Sequence, residues 1–194
     1  SKSPAAGAVC NPRWRGAYSG EWSMDVEAAK AAALQTGRPV VFCFSGLRWS
    51  EFCVGAEHTA FADVAFNGAL SDAYLVLADN RRRDGSGPSL LRENFAGGYL
   101  KENEKYGLTE RMAEDKLVAN LALQNALALP GASAGDPMNY PTFVYCLVQN
   151  TRSGVEILPV GRFGFDADFT PTSANVDEAF RKIKQLKYLD SKNY

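Results

Sequence analysis

Apolar runs and helical stretches alternate along the first half of the chain. They predict, in order, a helix at 24–35, a strand at 40–44, a helix at 50–61 and a strand at 73–78. Ser23 and Ser50 stand where the two helices would take their N-caps, and Gly37 is placed to end the first. A strand, a helix and a second buried strand in this order predict a parallel pair.

The second half predicts a different arrangement. Its elements are a helix at 109–129 capped by Thr109, strands at 142–148 and 155–160, and an amphipathic helix at 176–189. The short polar link between the two strands predicts an antiparallel hairpin. Residues 80–108 are rich in Gly and polar residues, and we interpret them as an inserted loop. The whole order predicts one α/β domain over 21–194, preceded by a mobile arm over 1–20.

Composition narrows the classes of function. A chain of 194 residues with 46% hydrophobic residues can bury one core. Its 21 basic and 22 acidic residues are well mixed, so neither a nucleic acid nor an anionic membrane surface is an expected partner. No apolar run approaches the roughly 20 residues of a membrane span. The chain begins with Ser, which suggests that an upstream segment was removed, and an exported or periplasmic location is the favoured expectation.

The cysteines do not form a metal-binding pattern. Cys10, Cys43, Cys53 and Cys146 contain no CxxC pair, and His58 is the only histidine. Neither a metal site nor a cofactor is therefore predicted. Cys43 and Cys146 fall in predicted neighbouring strands and are interpreted as core thiols, whereas Cys10 lies in the predicted arm.

Three motifs occur in an order that carries a resemblance. Residues 44–53 read Phe-Ser-Gly-Leu-Arg-Trp-Ser-Glu-Phe-Cys, Tyr140 and Pro141 open the third strand, and residues 161–164 read Gly-Arg-Phe-Gly. Over about 22–186 the chain resembles the thioredoxin-like superfamily, in which a tryptophan precedes CxxC, a cis-proline loop faces it, and a glycine ends the last strand. The resemblance implies a central mixed sheet flanked by helices.

The chain departs from the family where its chemistry resides. Ser50 stands in place of the first cysteine, which in the family attacks as a thiolate at a helix N-terminus, and Cys53 matches the second. A serine hydroxyl is not ionised near neutral pH and cannot form a disulfide. Phe44 is assigned to the position where many members carry a buried Asp, and no nearby residue replaces that base. Glu51 is interpreted as a solvated residue in the first helical turn.

Several functions stay open on these residues. The first hypothesis is a redox-impaired protein that binds a peptide or protein partner in a groove beside Trp49, Ser50, Glu51, Tyr140 and Pro141. The alternative is a monothiol enzyme or disulfide oxidoreductase that uses Cys53, with Ser50 as a hydrogen-bond donor. A further alternative is a CxxC enzyme altered at Ser50. The sequence leaves the oligomeric state open.

Overall fold

A computed structural model describes residues 8–82, 84–93, 109–127, 140–164 and 171–192. The strands are β1 (Trp22–Ser23), β2 (Val40–Ser45), β3 (Tyr74–Asp79), β4 (Thr142–Thr151) and β5 (Gly154–Gly164). The α-helices are α1 (Val26–Thr36), α2 (Glu51–His58), α3 (Val64–Ala69), α4 (Leu90–Glu93), α5 (Glu110–Ala126) and α6 (Ser173–Lys192).

The strands form one mixed sheet in the order β1-β3-β2-β4-β5. Strand β3 is parallel to β1 and β2, whereas β4 is antiparallel to β2 and β5. The predicted parallel pair and the predicted hairpin are therefore confirmed within a single sheet. Both hairpin strands are longer than predicted, so that only residues 152 and 153 remain as the turn.

Helices cover both faces of this sheet. Successive strand side chains point to opposite faces. One face carries Val41 and Cys43 of β2 and packs with residues of α2, α3 and α6. The other carries Phe42 and Phe44 and packs with residues of α1 and the end of α5. The two faces thus bury separate parts of the core, and α2 brings the motif onto the first of them.

Helix α1 begins later than the sequence predicted. Ser23 belongs to β1, which pairs with β3, and its hydroxyl donates to the Gly16 carbonyl at 2.6 Å. Asp25 is the N-cap instead, since its carboxylate accepts from the Ala28 amide at 3.0 Å. The prediction of Ser23 as cap was wrong because strand pairing holds that residue in the sheet. Gly37 ends the helix with φ of 75°, as predicted.

Two further helix predictions need correction. Helix α2 ends at His58, because Thr59 leaves helical geometry, and α3 follows after Asp63, whose carboxylate caps the Phe66 amide at 2.7 Å. The Thr109 cap of α5 is confirmed. Leu121, whose spacing from Leu117 in the sequence predicts that it shares the apolar face of this helix, is instead 52% exposed. That face carries Ala113, Leu117 and Asn120 instead. Residues 128 and 129 of the predicted helix lie outside the described ranges.

The predicted arm and the predicted insertion both contain residues that pack on the domain. Val9 is buried, and the Arg13 backbone hydrogen-bonds with Trp22 and Met24. Within 80–108, Leu90 and Leu91 of α4 are buried. Residues 1–7, 83 and 94–108 lie outside the described part, and the division of the chain at residue 20 stays a prediction. Among the helices that the structure describes, none has the length and apolar character needed to cross a bilayer.

Candidate functional site

The motif turn connects β2 to α2 and is shaped by Trp49. The amides of Trp49 and Ser50 both donate to the Gly46 carbonyl, at 3.1 and 2.8 Å. The Trp49 ring covers Gly46 so closely that a Cβ at this position would lie 2.4 Å from it. The indole Nε1 donates to the Asn80 carbonyl at 2.8 Å. Glycine is thus required at position 46 because the indole folds back over the turn and binds the end of β3.

Ser50 is the N-cap residue of α2, but its side chain does not cap the helix. Its backbone is extended, with φ of −82° and ψ of 123°, and no helix amide donates to its oxygen. The hydroxyl hydrogen-bonds to the Cys53 thiol and lowers the pKa of that thiol. The predicted N-cap position is therefore observed, whereas the predicted cap oxygen serves the cysteine that lies one helical turn further on.

Cys53 lies entirely inside the core. Its exposed fraction is 0%, and its sulfur accepts from the Gly46 amide at 3.4 Å. Burial raises the pKa of the Cys53 thiol to about 11, against the lowering effects of the Gly46 and Ser50 donors. Cys53 is therefore a thiol at neutral pH, packed on the apolar side of α2.

The side chains beneath Cys53 differ from those expected. Phe44 was assigned to the acid position on the strand before the motif, but it lies on the face of the sheet opposite to Cys53. Cys43 is the β2 residue that shares the core with Cys53, and Asp79 pairs with Ser45 in the parallel register of β3. No acid lies near Phe44 in the sequence, but strand pairing brings Asp79 to this side of the sheet, where it acts electrostatically on both Cys43 and Cys53.

Asp79 is a carboxyl group with no exposed surface. Its Oδ2 accepts from the Leu90 amide at 2.8 Å, and the Leu47 and Leu91 amides also lower its pKa. Burial outweighs these donors and raises the pKa of Asp79 to about 7. Among the described residues, Asp79 Oδ1 and Ser45 Oγ have no hydrogen-bond partner. The available signal in the sequence was an acidic residue at the end of an apolar strand.

An aromatic wall stands beside Ser50. Trp49 and Tyr140 are half-buried, and their rings meet edge to face with centroids 5.7 Å apart. The Tyr140 hydroxyl donates to Gln124 Oε1 at 2.7 Å, and Asn80 Nδ2 donates to the same oxygen at 3.0 Å. The peptide bond before Pro141 is cis. Sequence reasoning missed Asn80 and Gln124, which meet only through the tertiary fold.

The remaining candidates lie around this centre. Pro141 is buried, Glu51 is exposed at the start of α2, and His58 is exposed at its end. The half-buried Cys10 interacts with Arg48 and Glu57, which form an ion pair at 2.8 Å, and its pKa is raised to about 11, mainly by burial. All four cysteines are free. Within the described ranges, His, Cys, Asp and Glu side chains do not converge in threes that could hold a metal ion.

Comparison with known proteins gives a likeness of fold. No protein-family model matches the chain, and no curated protein matches it. The chain is similar to a solved structure named "DsbH Oxidoreductase", with a TM-score of 0.51 over 89% of this chain and 91% of that one. Their sequence identity is 15%, so the likeness is one of fold rather than of site. The mixed five-stranded sheet with helices on both faces has a thioredoxin-like fold.

Proposed function

We propose that this protein is a redox-impaired thioredoxin-like protein that binds an extended peptide segment of a partner protein. The peptide lies between the start of α2 and the loop at Tyr140 and Pro141. The observation that carries the proposal is the pairing of Ser50 at the helix start with a wholly buried Cys53.

Ser50 and Cys53 lack the thiol chemistry that disulfide exchange requires. Dithiol exchange needs a thiolate that attacks a substrate disulfide and a second thiol that releases the mixed disulfide. Ser50 cannot attack, because its hydroxyl is neutral and forms no disulfide. With a pKa of about 11, roughly one Cys53 thiol in ten thousand is ionised at pH 7. Its buried sulfur is also inaccessible to a peptide or protein disulfide in the folded chain.

The surface around Ser50 is suited to binding. Half-buried Trp49 and Tyr140 present aromatic rings beside Ser50, and Phe52 in the first turn of α2 is 43% exposed. Aromatic rings held on a rigid frame give a large contact area at low entropic cost. Glu51 adds an exposed carboxylate at the helix start. Such a rim suits an extended chain with apolar side chains better than it suits a small polar substrate.

One assay tests the redox impairment, and a second tests the binding of a peptide. We expect the purified chain not to accelerate the reduction of insulin by dithiothreitol above the uncatalysed rate. Catalysis by the unaltered chain would overturn the proposal that the protein is redox-impaired. For binding, Ser50→Cys combined with Cys53→Ser places an attacking thiol at the groove and removes the resolving one. The introduced thiolate attacks an activated disulfide, forms a mixed disulfide and releases thionitrobenzoate, which is measured by its colour.

We call the chain with Ser50→Cys and Cys53→Ser the trap variant. Two probes show whether its introduced thiol lies in a peptide-binding groove or is merely reactive. One probe is an acetylated alanine peptide with a central cysteine that carries the leaving group, and the other is a methyl disulfide with the same leaving group. We expect the peptide to react faster by about ten-fold, which corresponds to 1.4 kcal/mol of binding in the groove. Cys53→Ser alone, with Ser50 retained, is the matched control and should release nothing. Equal rates for the two probes would count against peptide binding.

A second function rests on one observation, the position of Asp79. A carboxyl group with a pKa of about 7 that acts electrostatically on Cys53 is suited to accept the proton of that thiol. This favours a disulfide oxidoreductase whose first cysteine is altered at position 50, or a monothiol enzyme that exposes Cys53 on opening. The codon for position 50 in the encoding gene separates an altered enzyme from a natural serine. Alkylation of native Cys53 at neutral pH would support the monothiol alternative.

A further inference from the structure

The aromatic wall is fixed by a polar network that joins four parts of the chain. Gln124 Oε1 of α5 accepts from both the Tyr140 hydroxyl and Asn80 Nδ2. Asn80 Nδ2 also lies 3.3 Å from the Tyr140 hydroxyl, and the Asn80 carbonyl accepts from Trp49 Nε1 at 2.8 Å. The motif turn, the end of β3, α5 and the cis-proline loop therefore meet at one point.

Burial explains only part of this network: Asn80 is buried and its side-chain N–H groups need partners, whereas the bond between Tyr140 and Gln124 joins two less buried residues. Tyr140 and Gln124 are half-buried, so that water could serve their polar atoms if the bond between them were absent. Such a bond adds only modestly to stability. It does, however, select one orientation of the Tyr140 ring, edge to face with Trp49. The network therefore acts chiefly on geometry.

We infer that Asn80 and Gln124 are positioning residues of the peptide groove and that they set its width beside Ser50. This inference rests on the proposed function, because it concerns the same groove. Gln124 holds the phenol of Tyr140 at one end of the wall, and the backbone carbonyl of Asn80, whose side chain also binds Gln124, holds the indole of Trp49 at the other. A wall fixed before binding lowers the entropic cost of capturing an extended peptide. With the wall loose, the peptide has to order these rings itself.

The acceptor at position 124 can be removed and restored. In the trap background described above, Gln124→Leu removes the shared acceptor, whereas Gln124→Glu keeps an oxygen for both donors. We expect Gln124→Leu to lower the rate with the peptide probe by about five-fold and to leave the methyl probe unchanged. Gln124→Glu should restore most of the peptide rate. Val118→Ala, at a 67% exposed position of the same helix, is the control and should change neither rate.

A second readout follows the wall itself. The indole N–H resonance of Trp49 senses both the Asn80 carbonyl and the Tyr140 ring, so it should shift in Gln124→Leu and return in Gln124→Glu. The inference would be overturned if the Trp49 resonance did not move in Gln124→Leu. It would also be overturned if the parent chain with Ser50→Cys and Cys53→Ser preferred the peptide probe and Gln124→Leu left its peptide rate unchanged. A parent trap that reacts equally with both probes would instead overturn the proposed function and, with it, the groove role of Gln124. A Gln124→Leu chain that slows with both probes would indicate a general loss of structure and would also overturn the inference.

Discussion

Strand β2 presents different chemistry to the two faces of the sheet. Toward α1 it presents Val40, Phe42 and Phe44, all with no exposed surface, and the two phenylalanine rings lie 6.2 Å apart. Toward α2 it presents Val41, Cys43 and Ser45, equally buried. One face of this strand thus buries only hydrocarbon, whereas the other buries a thiol and a hydroxyl beneath the motif turn.

The difference shows where the remaining chemistry of this domain lies. Burial of polar groups costs free energy unless they are hydrogen-bonded, yet Ser45 Oγ and one Asp79 oxygen lack partners among the described residues. Cys53 and Asp79 share the same side of the sheet. The α2 face therefore carries groups that packing alone does not require, and the α1 face contains none from β2. Each prediction below tests one side of this contrast.

The largest expected effect is a gain of activity from Ser50→Cys. The substitution restores a thiol at the start of α2, where helix amides favour the thiolate, and pairs it with Cys53. Insulin reduction should rise from background to a measurable rate. If Phe44 stood in for the acid, this exchange would be slow, but Asp79 supplies a proton acceptor from the neighbouring strand β3.

The contribution of Asp79 to the activity of Ser50→Cys can be tested separately. In the Ser50→Cys background, Asp79→Asn should lower the insulin rate at pH 7 by roughly ten-fold or more, because the proton acceptor for Cys53 is lost. Asp84→Asn, at an exposed position just beyond β3, should leave the rate unchanged. If no disulfide forms between positions 50 and 53, the site has moved beyond redox geometry and the binding function is favoured.

The next effect concerns the hydrocarbon face. Phe44→Ala removes a fully buried ring and should lower the free energy of unfolding in urea by about 3–5 kcal/mol. Cys43→Ala, its neighbour on the other face, removes a single sulfur and should cost about 1 kcal/mol. Equal costs for the two variants would contradict the expectation that Phe44 contributes more apolar burial to the core than Cys43 does.

The sequence predicted the sheet better than it predicted the site. The runs at 40–44 and 73–78 are long and apolar, so the parallel pair followed from local pattern. Phe44 was misplaced because resemblance to a motif does not reveal which face a strand residue occupies, and the alternation along β2 decides that. Asp79 and Gln124 reach the motif only through strand pairing and helix packing. No periodicity in a single sequence reports such distant contacts.

A smaller effect is expected from pH. The pKa of Asp79 in the folded protein is about 7, above its ordinary value of 3.8, so the folded state binds this proton more tightly than the unfolded state does. The stabilisation is therefore complete below about pH 4 and is lost as pH rises through 7. This group should lower the free energy of unfolding by roughly 2–4 kcal/mol between pH 4 and pH 8.

Other carboxyl groups titrate over the same range, so the difference between variants carries the test. Asp79→Asn should flatten the fall in unfolding free energy between pH 4 and pH 8, because the amide does not ionise. Asp84→Asn is the control, since its pKa is lowered by hydrogen bonds from Ser86 rather than raised. Identical pH profiles for the parent and Asp79→Asn would show that Asp79 does not titrate in the folded protein near pH 7.

The smallest effect compares two helix starts, at Ser50 and at Asp63. The Asp63 carboxylate accepts from the Phe66 amide at 2.7 Å, so Asp63→Ala should cost about 1 kcal/mol of unfolding free energy in urea. The Ser50 side chain makes no such bond to α2, and Ser50→Ala should cost less than about 0.5 kcal/mol. The same substitution removes a donor to Cys53, so the pKa of that thiol should rise and its alkylation at high pH should slow. A cost as large as that of Asp63→Ala, with unchanged alkylation, would mean that the hydroxyl serves the helix and not the buried thiol.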